Sequence, residues 1–186
     1  MIKVDVHQHF WSEQLVQALC ERQQLPFIRH ERGLTVLYLA YERAYVINLA
    51  SEAPARRAAL VEQDGLDRAL LCLSSPLGIE SLPREQALPL LDAYHEGALA
   101  LQEPFEAWDA IALDRPEPAD VDSVLDRGCV GLSLPGGALA SVDALTPQRG
   151  AGAPRAEGSA AADPSWAATH ARPRRPRRTR HPAGEA

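Results

Sequence analysis

The stretch IKVDVHQHF (2–10) decides how the rest of the chain is interpreted. Its apolar and polar residues alternate with the period of a β-strand. Ile2, Val4 and Val6 occupy one phase, and the other phase carries Lys3, Asp5, His7 and His9. We therefore expect a strand with one apolar face and one polar face that ends in a pair of imidazoles.

The two histidines are spaced for binding one cation. Side chains at i and i+2 on a strand point the same way and lie about 6.6 Å apart at Cα. His7 and His9 could each place a nitrogen on one metal ion at about 2.0–2.1 Å. Imidazole suits zinc, iron, copper and nickel, so the pair alone does not select the metal. The alternative is two solvent-facing histidines at an exposed strand end.

Strands and helices alternate after this first strand. Ser12 can cap a short helix with Leu15, Val16 and Leu19 on one side, and 34–49 is expected to form a hairpin. Three helices are predicted at about 54–64, 84–101 and 118–127, and three strands at 69–75, 107–113 and 129–135. This β-α-β-α-β-α-β pattern with short links predicts the α/β class, with a parallel sheet wound with helices.

The chain divides into two parts of different composition. Residues 1–145 carry 11 Lys and Arg against 22 Asp and Glu, whereas 146–186 carry 8 Arg against 3 acids. The second part lacks Leu, Ile, Val, Phe, Tyr, Met and Cys, and 29 of its 41 residues are Ala, Arg, Pro or Gly. Such a segment cannot offset the entropy of ordering. We predict a folded part at 1–145 and a disordered tail at 146–186.

A shifted reading frame is our preferred explanation of the tail. Ala, Arg, Pro and Gly have codons built from G and C alone, and the single Lys3 and single Asn48 fit a GC-rich gene. A frameshift near residue 146 would truncate the strand–helix pattern. A natural disordered tail is the alternative.

Several function classes are disfavoured by the composition. The three cysteines, Cys20, Cys72 and Cys129, form no CxxC motif. We expect Cys72 and Cys129 to be reduced and buried. No signal peptide is recognised, and no apolar run approaches the roughly 20 residues of a membrane span. We therefore expect a cytoplasmic protein with no membrane association.

The order of motifs resembles the amidohydrolase superfamily. DVHQHF, then GLDRALLCLSSP after a helix, and finally RGCVGLSLP are similar to the amidohydrolase-related branch that includes aminocarboxymuconate-semialdehyde decarboxylase-like enzymes. The likeness covers about residues 2–142. His7 and His9 match the metal-binding HxH of the first strand, and Asp5 matches the acid before it. Ser12 stands where the family usually has a proline.

The resemblance implies a distorted (β/α)8 TIM-type barrel, of which this chain would supply about the first four units. In such a barrel Ile2, Val4 and Val6 would face the helices, and Lys3, Asp5, His7 and His9 would face the interior. It also implies a divalent ion, zinc by preference, that activates water to hydrolyse a C–N or C–O bond of a small molecule. Non-oxidative decarboxylation is the alternative within the family.

The remaining ligands of the family are histidines after the fifth and sixth strands and an aspartate at the end of the eighth. Beyond residue 135 the chain offers only His170, His181, Asp143 and Asp163, none of them after a predicted strand. We therefore expect family activity to be absent or very low in this chain. Four strands leave two open barrel edges, so self-association is also expected.

Two further hypotheses concern a pocket and a different class of partner. Phe10 and Trp11 lie at the end of the first strand and could wall a substrate pocket, although a packing role is the alternative. The segment ARPRRPRRTRH (171–181) contains six arginines and could bind nucleic acid through phosphate charge. The acidic first part and the absence of a recognised nucleic-acid module argue against that function.

Overall fold

The computed structural model describes residues 1–139 of the chain. Its strands are β1 (Val4–His9), β2 (Phe27–Glu31), β3 (Leu34–Tyr38), β4 (Tyr45–Ile47), β5 (Arg68–Cys72), β6 (Phe105–Asp109) and β7 (Gly131–Leu132). Its α-helices are α1 (Glu13–Glu21), α2 (Pro54–Gln63), α3 (Arg84–Leu99) and α4 (Pro118–Asp126). Short 3₁₀ turns lie at Leu49–Glu52, Ser75–Leu77, Ile79–Ser81 and Gly136–Leu139.

Four of these strands form the parallel sheet that the sequence predicts. Its order is β1-β5-β6-β7, and every neighbouring pair is parallel. The strands therefore follow each other in space in the order in which they follow each other along the chain. Helix α3 connects β5 to β6 and α4 connects β6 to β7, whereas α1, the strands β2 to β4 and α2 all lie between β1 and β5. The prediction of an α/β fold with a parallel sheet of four strands is confirmed.

The remaining three strands form a small antiparallel sheet in the order β2-β3-β4. The predicted hairpin within 34–49 is confirmed as β3 and β4, which pair with Val36 opposite Val46. Strand β2 was not predicted, and it places His30 opposite Thr35. Pairing with β3 satisfies the backbone of this mixed polar segment.

Helix α1 begins where the sequence indicates. The Ser12 hydroxyl accepts a hydrogen bond from the backbone N–H of Leu15 at 3.2 Å, so Ser12 is the N-cap. Leu15, Val16 and Leu19 are buried, as predicted. Gly97 of α3 lies directly against Ser12, and a side chain at residue 97 would collide with the serine. This close approach joins α1 and α3 at one end of β1.

The core lies on one face of the parallel sheet. Ala69, Leu71 and Ala107 belong to it, together with Leu19 of α1 and Leu91 of α3. The opposite face, called the second face below, carries the alternate residues of the same strands. Those residues are Arg68, Leu70 and Cys72 of β5 and Glu106 and Trp108 of β6.

The expected orientation of β1 is wrong in its first half. Val4 pairs with Arg68 on the second face, and Asp5 pairs with the fully buried Ala69 on the helix-covered face. Ile2, Val4 and Val6 are 68%, 37% and 61% exposed rather than packed against helices. The register shifts between Asp5 and Gln8, where β1 contains one residue more than β5. This bulge reverses the phase, so that His9 lies beside Cys72 on the second face.

Element ends differ from the predictions by a few residues. Strands β6 and β7 begin at Phe105 and Gly131 and are shorter than expected, and α3 ends at Leu99. Within residues 1–139, none of the helices combines the length and the apolar character needed to cross a membrane. The predicted tail (146–186), its frameshift origin, its arginine-rich segment and the domain boundary at 145 lie outside the described residues.

Candidate metal centre

His7 and His9 come together at the carboxyl end of β1. Their ring centroids lie 4.7 Å apart, and the ring planes make an angle of 79°. His7 is exposed and His9 is partly buried. The carboxyl ends of parallel strands are where α/β proteins place their binding sites. The two imidazoles are therefore close enough to share one cation that approaches from solvent.

A contact with the neighbouring strand β5 determines which ring nitrogen of His9 carries the proton. His9 Nδ1 lies 3.0 Å from the backbone carbonyl oxygen of Cys72 on β5. A carbonyl oxygen can only accept, so Nδ1 carries the proton and donates it. The lone pair of neutral His9 is then on Nε2. Metal-binding histidines commonly have this arrangement, in which a backbone carbonyl orients the ring through its second nitrogen.

The segment around the pair is anchored by α2. Arg57 donates hydrogen bonds to Gln8 Oε1 at 2.8 Å and to the backbone carbonyl of His9 at 3.1 Å. Gln8 Nε2 in turn donates to Asp5 Oδ2 at 2.8 Å. Arg57 also lies 3.8 Å from Glu52, so its charge is partly compensated. These contacts hold the backbone of the His-Gln-His segment in place.

Asp5 stabilises the bulged part of β1 that contains His7. Its Oδ1 accepts a hydrogen bond from the backbone N–H of His7 at 3.0 Å. That bond, with smaller contributions from the Gln8 amide and the charge of Arg57, lowers the pKa of the Asp5 carboxyl below its usual value. Asp5 is thus ionised near neutral pH and both its oxygens are engaged. Its role in this structure is to support the histidines.

The thiol of Cys72 is buried, and its residue lies opposite His9 in the register. Burial raises the pKa of Cys72, and the nearby Ser133 side chain opposes that shift only in part. A thiol binds metal as the thiolate, which burial disfavours. Trp108 lies across the same second face, since its Nε1 donates to the Val6 carbonyl at 2.9 Å. The indole and the buried thiol make this part of the second face largely apolar.

His7 and His9 are the type of ligand that a divalent metal prefers, but two ligands are fewer than a zinc site normally has. Neutral imidazole nitrogens suit zinc, and the Nδ1 contact with Cys72 leaves Nε2 of His9 as the nitrogen that could bind it. Zinc takes four protein ligands in structural sites and three in catalytic ones. Across residues 1–139, however, His, Cys, Asp and Glu side chains nowhere converge in groups of three or more suited to one metal ion. The described residues therefore supply two ligands, His7 and His9.

The predicted pocket residues occupy packing positions. Phe10 is buried in the core, and Trp11 is partly buried against it. Their part in substrate binding stays a prediction. Ser133, which follows β7, donates its backbone N–H to the carbonyl of Asp109 at 2.8 Å. This bond fixes the end of β7 beside β6.

A second polar cluster, which the sequence did not reveal, lies on the helix-covered face. His95 of α3 and Asp109 of β6 are buried in direct contact through Nε2 and Oδ1. Arg127 Nη1 lies 3.1 Å from His95 Nδ1 and 3.0 Å from Asp92. Arginine can only donate, so Nδ1 accepts from Arg127, while Nε2 lies against the Asp109 carboxylate and accepts from the backbone N–H of Ala110 at 3.3 Å. The cluster fixes α3 against β6 and against the end of α4.

No protein-family model matches the chain, and no curated protein is significantly similar to it. The functional assignment therefore rests on the residues and the geometry described above.

Proposed function

We propose that residues 1–139 are the metal-binding first part of an amidohydrolase-type barrel, and that His7 and His9 hold its divalent ion. The proposed metal is zinc, and the proposed reaction is hydrolysis of a C–N or C–O bond in a small molecule. The observation that carries the proposal is the hydrogen bond from His9 Nδ1 to the Cys72 carbonyl. This hydrogen bond leaves Nε2 of His9 free to bind a metal ion. The ring centroids of His9 and His7 lie 4.7 Å apart.

The sheet supports the barrel part of the proposal. Four parallel strands lie in chain order and are connected by helices, which is the arrangement found in a (β/α)8 barrel. The histidine pair lies at the carboxyl end of the first strand, where barrels of this kind keep their active sites. Helices cover the face that would be outside, and His9 lies on the face that would be inside.

Each residue around the pair has a role in this proposal. His7 and His9 bind the ion, the Cys72 carbonyl orients the ring of His9, and Arg57 anchors the backbone between the two ligands. A bound zinc ion would lower the pKa of its water ligand toward neutrality and polarise a substrate oxygen. Asp5 is occupied by the His7 backbone and Gln8, so it does not act as the general base.

The described residues lack a third ligand and a general base near the metal site. We therefore expect hydrolysis by this chain to be very slow, although the metal binds. No contact in residues 1–139 favours the decarboxylase alternative over hydrolysis, so hydrolysis is the reaction that we propose. The nucleic-acid alternative depends on 171–181, outside the described residues.

Isothermal titration of the metal-free chain with zinc tests this proposal. The chain should bind zinc, and His7→Ala and His9→Ala should each abolish most of the binding. His30→Ala is the matched control, because His30 is an exposed histidine on β2, in the antiparallel sheet that does not contain β1. If zinc binding is absent, or is unchanged in both variants, the proposed metal centre is wrong.

An activity assay tests the expected low turnover. The zinc-loaded chain should hydrolyse simple amides, esters and lactones no faster than the His9→Ala variant. Rapid turnover that depends on both zinc and His9 would show that the chain contains a complete catalytic centre. It would contradict the expectation that a third ligand and a general base are missing.

A further inference from the structure

We propose that a second copy of this chain completes the metal site, so that one divalent ion is held by His7 and His9 of two copies on a two-fold axis. The inference rests on the proposed function, because it assigns the remaining ligands of the same site. It goes further by naming the partner and by making association dependent on the metal.

The ligand count is the first support. Each copy offers two neutral imidazoles, and two copies together offer the four nitrogen ligands that zinc binds in tetrahedral sites. An i, i+2 pair from each of two strands can approach the ion from opposite sides. Because a two-fold interface uses the same patch on both copies, one His-Gln-His segment per chain is sufficient.

Accessibility is the second support. His7 is exposed and His9 is only partly buried, so the pair faces solvent rather than the core of its own chain. Within the described residues no acidic or thiol ligand competes for the remaining coordination positions. A second molecule can therefore reach an ion bound by this pair.

The exposed apolar residues of β1 are the third support. Ile2, Val4 and Val6 lie immediately before the histidines and are 68%, 37% and 61% exposed. Val4 lies on the second face beside Arg68, the face on which His9 lies beside Cys72. Burying apolar surface of this kind stabilises an interface by about 25 cal/mol per Å². A partner that reaches the histidines would cover these side chains.

The topology indicates how the two copies are arranged. In the part of the chain that the structure describes, β1 and β7 are the two edges of the parallel sheet. With a two-fold axis parallel to the strands, β7 of each copy would lie beside β1 of the other and give eight parallel strands. Strands about 4.8 Å apart and tilted by about 36° enclose a barrel of roughly 7.5 Å radius. A histidine side chain with its metal–nitrogen bond of about 2.0–2.1 Å has a comparable reach.

Sedimentation velocity of the full chain, with zinc titrated against a chelator control, tests the inference. The chain should sediment as a 20.2 kDa monomer with chelator and at twice that mass with zinc. One zinc should bind per two chains. His9→Ala should lose the dimer, and circular dichroism with urea unfolding should confirm that it is folded. His7→Gln, at an exposed position, is a second variant with the same expected loss.

Two sets of controls separate this inference from the proposed function. His170→Ala combined with His181→Ala should keep the zinc-dependent dimer, because these histidines lie outside the proposed site. Val6→Lys leaves both ligands in place but puts a charge among the exposed apolar residues of β1, and it should lose the dimer.

The outcomes are distinguishable. A monomer that binds one zinc through His7 and His9 overturns the dimer and leaves the metal centre intact. A zinc complex that depends on His170 or His181 also overturns it, since the tail would then complete the site. A dimer that persists with chelator and in His9→Ala would show that dimerisation does not depend on zinc, and it would overturn the inference. Absence of zinc binding contradicts the proposed function itself.

Discussion

The Nδ1 of His9 on β1 lies 3.0 Å from the backbone carbonyl oxygen of Cys72 on β5. Two neighbouring parallel strands thus determine which nitrogen of the imidazole is free. The bulge between Asp5 and Gln8 makes this contact possible, because it places His9 opposite Cys72 in the register. The metal-binding property that we propose therefore depends on sheet pairing as well as on the His-Gln-His sequence.

The anchoring of this segment by Arg57 gives a first prediction. Arg57→Ala removes the hydrogen bonds to Gln8 and to the His9 carbonyl, so the two imidazoles lose their fixed spacing. We expect zinc affinity to fall about 10- to 100-fold, the usual effect of losing a group that supports a metal ligand. Isothermal titration with zinc measures this. Arg56→Ala is the matched control, since Arg56 is exposed on the same helix. Equal affinity in both variants would contradict a supporting role for Arg57.

The buried pair of His95 and Asp109 gives a second prediction. Asp109→Ala leaves His95 buried without the carboxylate that lies against its Nε2. Leaving a buried polar group without its partner costs a protein about 1–3 kcal/mol. Urea unfolding monitored by circular dichroism measures the change. His30→Ala should stay within about 0.5 kcal/mol, as exposed substitutions usually do. A loss below about 1 kcal/mol for Asp109→Ala would show that the pair contributes little.

The buried carboxyl of Glu80 gives a pH-dependent prediction. Glu80 is 3% exposed, its Oε2 has no hydrogen-bond partner, and burial raises its pKa from 4.5 to about 7. Between these values the folded state holds a proton that the unfolded chain releases. The free energy of unfolding contributed by Glu80 therefore falls as pH rises, by roughly 3 kcal/mol in total.

Comparison with Glu80→Gln isolates this contribution. The glutamine variant cannot ionise, so it should be more stable than the wild type at about pH 8 and lose that advantage at about pH 5. Urea unfolding at both pH values measures the difference. Glu96→Gln, an exposed change on α3, should show no such pH-dependent gain. A constant difference between Glu80→Gln and the wild type across this range would contradict the raised pKa.

The contact of Gly97 with Ser12 gives a fourth prediction. Gly97→Ala inserts a methyl group where the serine already lies, and neither backbone can move without disturbing the packing of α1 on α3. We expect a loss of about 1–3 kcal/mol in the free energy of unfolding, typical of overpacking. Gly136→Ala is the control, since nothing lies within 4 Å of the position of its added methyl. Equal stability of the two variants would contradict the close approach.

Local patterns were sufficient to predict the elements that depend on local chemistry. The Ser12 cap, the buried side of α1 and the Pro54 start of α2 are all encoded within a few residues. The parallel order of the sheet followed from the alternation of strands and helices with short links. The position of His7 and His9 at the end of β1 followed from the same pattern.

Features that depend on distant residues were missed. The bulge in β1 is set by pairing with β5, more than 60 residues later, and it puts His9 on the same face of the sheet as Val4. Strand β2 exists because β3 pairs with it, although FIRHE has no clear alternation of its own. The contact of His95 with Asp109 joins a helix and a strand, so neither residue is conspicuous in its local sequence.

Nitrogen-15 NMR of the histidine rings, recorded during a zinc titration, tests the metal centre most directly. Before zinc is added, His9 should show a protonated Nδ1 and an unprotonated Nε2, as the Cys72 contact requires. Zinc should then shift the Nε2 resonance of His9 and a ring nitrogen of His7 together, and leave His30 unchanged. Zinc binding with unchanged His7 and His9 resonances would contradict the account, as would a His9 ring protonated only at Nε2.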